Sequence, residues 1–315
     1  MAMKAKDLAK KLKVSPATIS LVLNNKPGIS DTLRSSLIKK INALGCGDMI
    51  SKKPSGMDFS DSSKISAPSV AYLIYTNYDE NDQDHFSFYP AVLEGAEMEA
   101  RDSGFNLVVL HMSQNGNETL NSLLKKSDTV AAVVQTDRIT DSIMTDLSKL
   151  DLPYVFLEAY RPDVPASCVC VNNENCIYSA VRYLKQKGHR NIGYISSGQE
   201  SDSAIERRKH FHLALREYEL LDKIANYYVA GQNGESPVKS LFDQFTEHPP
   251  QVTSFISESD VVAGHTRSVL RKKGYSIPDD ISIIGFDDRS VCTMTDPPLT
   301  TIKNYRHLLG REAVI

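Results

Sequence analysis

Side chains able to hydrogen bond with nucleic acid are concentrated in a short segment near the N-terminus. Ser15, Thr18 and Ser20 carry hydroxyl groups, and Asn24 carries an amide. Such groups contact phosphate oxygens and base edges, so the segment predicts a DNA-contacting surface. The residues predicted to form this surface are Lys4, Lys6, Ser15, Pro16, Ala17, Thr18, Ser20, Leu21, Asn24 and Ser30.

A predicted helix positions these groups. Ser15 is a good N-cap, and Pro16 suits the first helical position, where its missing N–H costs nothing. Ile19, Val22 and Leu23 then share one helical face that can pack on a neighbouring helix. The positions left facing outward are Pro16, Ala17, Ser20 and Leu21.

The surrounding segments favour a helix-turn-helix. A basic helix is predicted over Lys4–Leu12, and a third helix begins at Ser30 and ends at Gly45. Three short helices of this kind are typical of a module that inserts its second helix into the major groove. An ordinary helical hairpin is the alternative interpretation.

Charge is distributed unevenly along the chain. Between residues 1 and 53 there are eleven Lys and Arg residues against three Asp, although the whole chain has a formal net charge of −3. A run of lysines alone is usually a solvated surface. Combined with the helix pattern, however, this basic segment favours contact with phosphates.

Length and composition limit the remainder of the protein. At 315 residues, 41% of them hydrophobic, the chain can form at least two cores. No apolar run reaches the roughly 18 residues of a membrane span, and the N-terminus lacks a signal-peptide core. Five cysteines without a Cys-x-x-Cys pair predict reduced thiols, not disulfides or a metal site. We therefore expect a cytoplasmic protein that does not contact membranes.

Beyond a linker, short apolar runs alternate with amphipathic helices. The first series of predicted strands is Val70–Tyr75, Asn106–His111, Val130–Val134 and Tyr154–Leu157, with helices at Pro90–Ser103 and Ile143–Leu150. The second series of predicted strands is Asn191–Ser196, Tyr227–Val229, Thr253–Ile256 and Ser282–Gly285. Its predicted helices are Asn175–Gln186, Arg207–Glu217, Val238–Phe245 and Val261–Lys272.

This alternation predicts an α/β fold with two doubly wound lobes, in which small ligands bind beyond the carboxyl ends of the parallel strands. The predicted domains are an all-α helix-turn-helix headpiece over 1–47, a hinge or linker over 48–68 and a ligand-sensing core over 69–315. Within the core, lobe one is predicted at about 69–163 plus 299–315, and lobe two at about 164–298.

Three later motifs match a known family. Residues 188–195 read Gly-His-Arg-Asn-Ile-Gly-Tyr-Ile, residues 277–288 read Ile-Pro-Asp-Asp-Ile-Ser-Ile-Ile-Gly-Phe-Asp-Asp, and residues 298–302 read Pro-Leu-Thr-Thr-Ile. Together with the Val14–Asn24 helix they resemble the LacI/GalR (lactose-repressor/galactose-repressor) family of bacterial transcription regulators. The resemblance implies a homodimeric, sometimes tetrameric, repressor that binds operator DNA. It also implies a periplasmic-binding-protein-like core that senses a small molecule, often a sugar, without a cofactor.

The resemblance also implies which side chains contact that ligand. Arg207 matches the family's cleft arginine, Asp287 matches a cleft carboxylate, and Glu158 lies where relatives often place an aspartate. Sugar recognition combines planar polar groups for the hydroxyls with an aromatic face. The aromatic residues predicted to line the first lobe's side are Tyr75, Phe88 and Tyr89.

Asp260 matches the aspartate of a family Asn-Asp pair, although Ser259 replaces the asparagine. Each of these assignments has a structural alternative. Asp260 could instead cap the helix Val261–Lys272, Arg207 could be a surface charge, and Phe88 could be ordinary core packing.

Two features depart from the family pattern. Many relatives carry a long polar side chain at the position of Leu21, whereas leucine at best packs on a thymine methyl, so a different operator preference is expected. The leucine that wedges into the minor groove falls near Ser55 here, and Pro54 disfavours a hinge helix. We therefore expect weaker DNA bending and more reliance on headpiece contacts; the alternative is that Ile50 or Met57 supplies the apolar wedge.

The family pattern also continues for some tens of residues beyond Gly310–Ala313, whereas this chain stops at Ile315. An uncovered lobe surface and reduced stability are therefore expected. Neither a Gly-rich phosphate loop nor a Ser/His/Asp arrangement in a strand–turn context is present, so no enzyme is predicted. A ligand-responsive regulator is favoured, and the alternative is a small-molecule-binding protein with a vestigial headpiece.

Overall fold

The protein forms two compact units, residues 1–66 and residues 67–315. The structure is a computed structural model. It describes residues 5–23, 29, 31–44, 46, 67–75, 83–112, 120, 124, 127–220, 226–231 and 235–315. Of the predicted hinge over 48–68, residues 48–66 lie outside the described ranges, including Ser55 and its alternative wedges Ile50 and Met57.

Three short helices form the first unit: α1 (Ala5–Lys11), α2 (Pro16–Leu23) and α3 (Asp31–Ala43). The start of α2 is as predicted, because the Thr18 backbone N–H donates to Ser15 Oγ at 3.0 Å. The predicted apolar face of α2 is also confirmed, since it is buried against the other two helices. The buried core residues of this unit are Leu8, Ala9, Ile19, Val22, Leu23, Leu37 and Ile41.

Strands and helices alternate through the second unit, as the apolar runs predict. Its first half contains β1 (Ser69–Ile74), α4 (Gln83–Asp102), β2 (Asn106–His111), β3 (Thr129–Gln135), α5 (Asp141–Leu147), β4 (Tyr154–Leu157) and β5 (Ser167–Val169). Its second half contains α6 (Asn173–Gln186), β6 (Ile192–Ser196), α7 (Asp202–Glu217), β7 (Tyr227–Val229), α8 (Pro237–Glu247), β8 (Ser254–Ser257), α9 (Asp260–Lys272), β9 (Ser282–Asp287), the 3₁₀ turn Ser290–Cys292, β10 (Thr300–Lys303) and α10 (Arg306–Glu312).

Each of the two sheets consists of parallel strands, and both have the same strand order. The first runs β2-β1-β3-β4-β5 and the second β7-β6-β8-β9-β10. In each sheet the order reverses once, between β1 and β3 and between β6 and β8. Open α/β sheets bind ligands outside the carboxyl ends of the strands at this reversal. The prediction of two doubly wound lobes is confirmed.

Both faces of each sheet are covered, which explains the continuous apolar character of the strands. In β1, Val70, Tyr72 and Ile74 pack in one cluster with residues of α4, whereas Ala71 and Leu73 pack in the cluster on the opposite face. Successive side chains of a strand point to opposite faces, so one apolar run supplies two cores.

The structure corrects the predicted lobe boundaries at two strands. β5 pairs with β4, with Cys168 beside Phe156, so it completes the first sheet and does not belong to lobe two. β10 pairs with β9, with Ile302 beside Phe286, so it belongs to the second sheet and not to lobe one. Both are short edge strands next to a crossing between lobes, and their own sequence does not specify which sheet they join.

After β10 the chain returns to lobe one, where α10 crosses α4 at very close range. A Cβ atom at Gly310 would collide with the backbone carbonyl of Val92, and one at Gly95 would collide with the carbonyl of His307. The two glycines therefore allow the helix backbones to touch. This contact assigns α10 to lobe one, as predicted for residues 306–312.

Candidate ligand-binding cleft and nucleic-acid interface

A cleft of about 100 Å³ lies between the two lobes, at the carboxyl ends of β3, β4, β6, β8 and β9. Of the predicted ligand-binding residues, Tyr89, Glu158, Arg207 and Asp287 line it, whereas Tyr75 and Asp260 do not. The lining residues are Tyr89, Asp137, Glu158, Ser197, Gln199, Ser201, Ser203, Ala204, Arg207, Glu258, Ser259, Asp287 and Arg289.

Glu158 follows β4 and is held in an unusual state. Its side chain is only 7% exposed and its backbone φ is 69°, in the left-handed region that a non-glycine residue rarely adopts. Oε1 has no hydrogen-bond partner among the described residues. Burial raises the pKa of this carboxyl to about 7, the nearby Arg207 guanidinium opposes the rise, and Asp287 adds to it. Strain and a perturbed carboxyl together are typical of functional sites.

Arg207 is buried in the cleft wall, which excludes the surface-charge alternative. It lies on α7, which begins at Asp202, five residues before the predicted start, because Ser201 Oγ caps the helix. Nε donates to Asn173 Oδ1 at 2.8 Å and Nη1 donates to the Glu258 carbonyl at 2.7 Å. The guanidinium carbon lies 3.6 Å from the centroid of the Phe286 ring. These contacts fix the orientation of a planar donor group.

Asp287 ends β9 between two guanidinium groups. Its Oδ1 is 3.9 Å from Arg207 Nη2 and its Oδ2 is 3.7 Å from Arg289 Nε. Asn304 Nδ2 also approaches Oδ1 at 3.5 Å. The backbone φ of Asp287 is 104°, a second strained position in the cleft.

Two further carboxylates in the cleft were not predicted. Glu258 follows β8, and its Oε2 accepts hydrogen bonds from the hydroxyls of Ser196 and Ser197 at 3.0 and 2.6 Å. Asp137 lies two residues after the end of β3, and its Oδ1 accepts a hydrogen bond from the Tyr89 hydroxyl at 2.5 Å. A sequence signal existed, since each acid comes within two residues of the end of an apolar strand of a parallel sheet.

Two predicted ligand residues lie away from the cleft. Tyr75 is half-buried within the cluster on the α5 face of the first sheet, and burial raises its pKa to about 12. Asp260 is 0% exposed and accepts from the Arg289 N–H at 2.7 Å and the Thr301 hydroxyl at 2.5 Å. The cap of α9 is Ser259, so Asp260 is neither the cap nor a cleft group but a buried link between loops.

Phe88 belongs to α4, but its side chain lies outside the described residues, so its assignment stays a prediction. Phe211, expected behind Arg207, is buried in the second lobe, where its ring centroid is 5.1 Å from that of Tyr194.

The predicted DNA surface falls on α2. Ser15, Pro16 and Ser20 are exposed, while Thr18 and Leu21 are half-buried. The Leu21 carbonyl accepts a hydrogen bond from Arg34 Nη1 at 3.1 Å, which ties α2 to α3. Lys4, Asn24, Ser30 and the side chains of Lys6 and Ala17 lie outside the described part of the chain.

Comparison with known proteins agrees with this architecture. Residues 181–315 match a periplasmic binding protein-like domain. The HTH-type transcriptional repressor CytR of Escherichia coli (strain K12) is 25% identical over 313 residues, which cover 98% of this chain and 87% of CytR. The HTH-type transcriptional regulator GalR of Salmonella typhimurium (strain LT2) is 26% identical over 303 residues, 95% of this chain and 83% of GalR. These alignments span headpiece and core together. In sequence, the chain is similar over nearly its whole length to these regulators of the LacI/GalR family.

Solved structures of transcriptional regulators have the same fold as this chain. The transcriptional regulator CelR, in complex with cellobiose, superposes with a TM-score of 0.67 at 22% identity, covering 99% of this chain and 91% of CelR. The lac repressor dimer bound to operator superposes with a TM-score of 0.66 at 19% identity, covering 100% of this chain and 91% of the repressor.

Metal-ligating side chains, cysteines and long apolar helices bear on other kinds of site in the described part of the chain. Within the described ranges no group of three or more His, Cys, Asp or Glu side chains could hold a metal ion. The cysteines Cys46, Cys168, Cys170, Cys176 and Cys292 are free thiols. Of the helices that the structure describes, none has both the length and the apolar character needed to cross a membrane.

Proposed function

We propose that this protein is a ligand-responsive repressor of transcription that binds operator DNA through its headpiece and a small polar molecule through its cleft. Two relatives, CytR and GalR, are named as a transcriptional repressor and a transcriptional regulator. Among the structural neighbours, CelR holds cellobiose and the lac repressor holds operator. Ligand binding at one site then changes affinity at the other through a shift between conformations.

The observation that carries this proposal is the combination, in one chain, of an exposed polar helix face and a cleft lined by buried charges. Burying Arg207, Asp287 and Glu158 costs free energy that an apolar wall would not incur. Two of these positions also carry backbone strain. A small-molecule site accounts for both costs, because pre-organised charged groups recognise a polar ligand.

The headpiece supports contact with both DNA backbone and bases. The hydroxyls of Ser15 and Thr18 lie 2.8 Å apart at the start of α2, where helix N-termini favour phosphate. Ser20 is exposed one turn later, on the face opposite the buried Ile19 and Val22. Leu21 offers an apolar contact for a thymine methyl.

The ligand we propose is a sugar or a related polyol. Hydroxyl, amide and carboxylate groups from both lobes line the cleft, and Tyr89 supplies an aromatic side chain near them. Paired hydroxyls suit the planar guanidinium and carboxylate groups of Arg207 and Asp287. We further infer a homodimer in the cytoplasm, acting on palindromic DNA, and no catalytic activity.

The proposal is tested by selecting DNA sites from a random duplex pool and measuring their affinity by fluorescence anisotropy at several salt concentrations. We expect a palindromic consensus with affinity about a thousandfold or more above that for random DNA. Ser20→Glu places a negative charge on the exposed face of α2 and should abolish specific binding. Thr145→Glu adds the same charge on the exposed side of α5 in the core and should leave binding intact.

The same measurement separates the alternative function. A vestigial headpiece would bind all sequences weakly, with a salt dependence but no consensus. That outcome, or equal loss of binding in Ser20→Glu and Thr145→Glu, would contradict the proposed role in transcription.

A further inference from the structure

The cleft carries an excess of negative charge. Its lining contains four carboxylates, Asp137, Glu158, Glu258 and Asp287, against two guanidinium groups, Arg207 and Arg289. A neutral ligand does not require such an excess, and an anionic ligand would be repelled by it.

The two guanidinium groups already act on protein partners. Both approach Asp287, at 3.9 Å from Arg207 and 3.7 Å from Arg289. Arg207 also donates to Asn173 and to the Glu258 carbonyl. The positive charge of the cleft is therefore concentrated around Asp287, and the carboxylates of Glu158 and Glu258 are left without an ionic partner within 4.0 Å among the described residues.

These two carboxylates each keep one acceptor unused. Glu258 is 4% exposed, and its Oε2 is held by Ser196, by the Ser197 hydroxyl and by the Ser197 N–H. Its Oε1, like Oε1 of Glu158, has no hydrogen-bond partner in the part of the chain that the structure describes. Buried acceptors without donors are unusual in native proteins, and here both belong to residues that line the ligand cleft.

Arg208 is a further cation close to Glu258, but it does not donate a hydrogen bond to the free Oε1 of Glu258. Its guanidinium donates to Glu200 at 3.0 Å and to Ser196 Oγ at 3.4 Å, and Arg208 is not among the residues that line the cleft. A ligand in the cleft can supply the donors that the free oxygens of Glu158 and Glu258 lack.

We propose that the ligand is a polyol that carries a protonated amino group, such as an amino sugar, with the ammonium directed at the free oxygens of Glu258 and Glu158. An ammonium has three donors and a full positive charge, so it satisfies both acceptors and offsets the excess charge. The hydroxyl groups of the same ligand face Arg207 and Asp287. This inference rests on the proposed function, because it specifies the ligand of the same cleft.

The test is titration calorimetry on the full chain with matched probes: D-glucosamine, D-glucose and D-glucuronate, and the corresponding galactose series. Within a series the ring is constant: the amino sugar carries an ammonium in place of the C2 hydroxyl, and the uronate carries a carboxylate at C6. We expect the amino sugar of at least one series to bind about tenfold or more tightly than its neutral counterpart, and the uronate to bind most weakly.

Substitutions of the two cleft carboxylates test whether the preference for amino sugars arises in the cleft. Glu258→Gln keeps the shape and the acceptor for the serines, and should bring the affinities for amino and neutral sugar close together. Glu158→Gln is the second variant in case the first is poorly folded. Glu247→Gln removes one charge from an exposed position at the end of α8 in the same lobe, and should keep the preference.

Equal or tighter binding of the neutral sugars, no binding by any probe, or a preference unchanged in both cleft variants would overturn the inference. Operator binding without ligand, measured in parallel, separates this result from failure of the proposed function. An amino-sugar preference without specific DNA binding would support the ligand class and overturn the regulatory role.

Discussion

Replacing Glu158 by Gln should change how the stability of the protein depends on pH. The carboxyl is buried with a free oxygen, and burial raises its pKa from 4.5 to about 7. Between these values the folded protein holds a proton that the unfolded chain has released. The stability of the wild-type protein therefore falls as the pH rises through this window, and the loss is complete above the folded-state pKa. Gln stays neutral, so the variant lacks this fall.

The size of the effect follows from the shift. Each pKa unit corresponds to about 1.4 kcal/mol, so the change from 4.5 to about 7 amounts to about 3 kcal/mol of unfolding free energy. Near pH 5 both proteins carry a neutral side chain at this position and should differ little. Near pH 8 the Gln variant should have gained about 3 kcal/mol over wild type, relative to the difference near pH 5.

The assay is urea unfolding of both ligand-free proteins at several pH values, followed by circular dichroism. The informative quantity is the difference in unfolding free energy between variant and wild type at each pH, because the other titrating groups are common to both proteins. Glu247→Gln serves as the control for exchanging an exposed carboxylate for an amide.

A difference that does not change with pH would refute the reasoning, because it would mean that burial does not perturb this carboxyl. A Gln variant that loses stability relative to wild type as the pH rises would show that Arg207 outweighs desolvation and holds Glu158 as an ion.

Three further substitutions test other parts of the molecule. Gly310→Ala should destabilise the core by about 2 kcal/mol in thermal or urea unfolding, because the added methyl meets the backbone of α4. Gly264→Ala, whose Cβ would make only an ordinary van der Waals contact with Val291 at 3.9 Å, should instead stabilise by about 0.5–1 kcal/mol; equal effects of the two substitutions would contradict the close crossing of α4 and α10. Asp260→Ala should lower the unfolding free energy by about 3 kcal/mol, because it leaves two buried donors unpaired, whereas Asp279→Ala, at an exposed position, should change it little. An Asp260→Ala variant as stable as wild type would refute the structural role of this residue. Leu21→Arg should change the selected base at one operator step, and an unchanged consensus would refute base contact at this position.

Much of the fold follows from local sequence because its signals are short-range. The alternation of apolar runs and amphipathic stretches identified β1 to β4 and β6 to β9 within a few residues of their observed bounds. Ser15 before Pro16 identified the start of α2. These predictions succeed because capping, helical spacing and strand burial depend on neighbours along the chain.

The errors occur where a residue's partner is distant in sequence. β5 and β10 were assigned to the wrong lobes because strands of three or four residues do not encode their sheet. Asp260 was placed in the cleft, but its partners Arg289 and Thr301 bring it into a buried link. Glu258 was overlooked, although it follows a strand in the same way as Glu158 and Asp287.

The sequence by itself determined the headpiece helices, the alternating α/β core and three polar groups of the cleft wall: Glu158, Arg207 and Asp287. Only the tertiary structure decided the charge balance of the cleft. That balance depends on which strand ends meet at the reversal of each sheet, and on which carboxylates are then left without a donor. Because these strand ends lie far apart along the chain, their electrostatic coupling exists only once both lobes have folded.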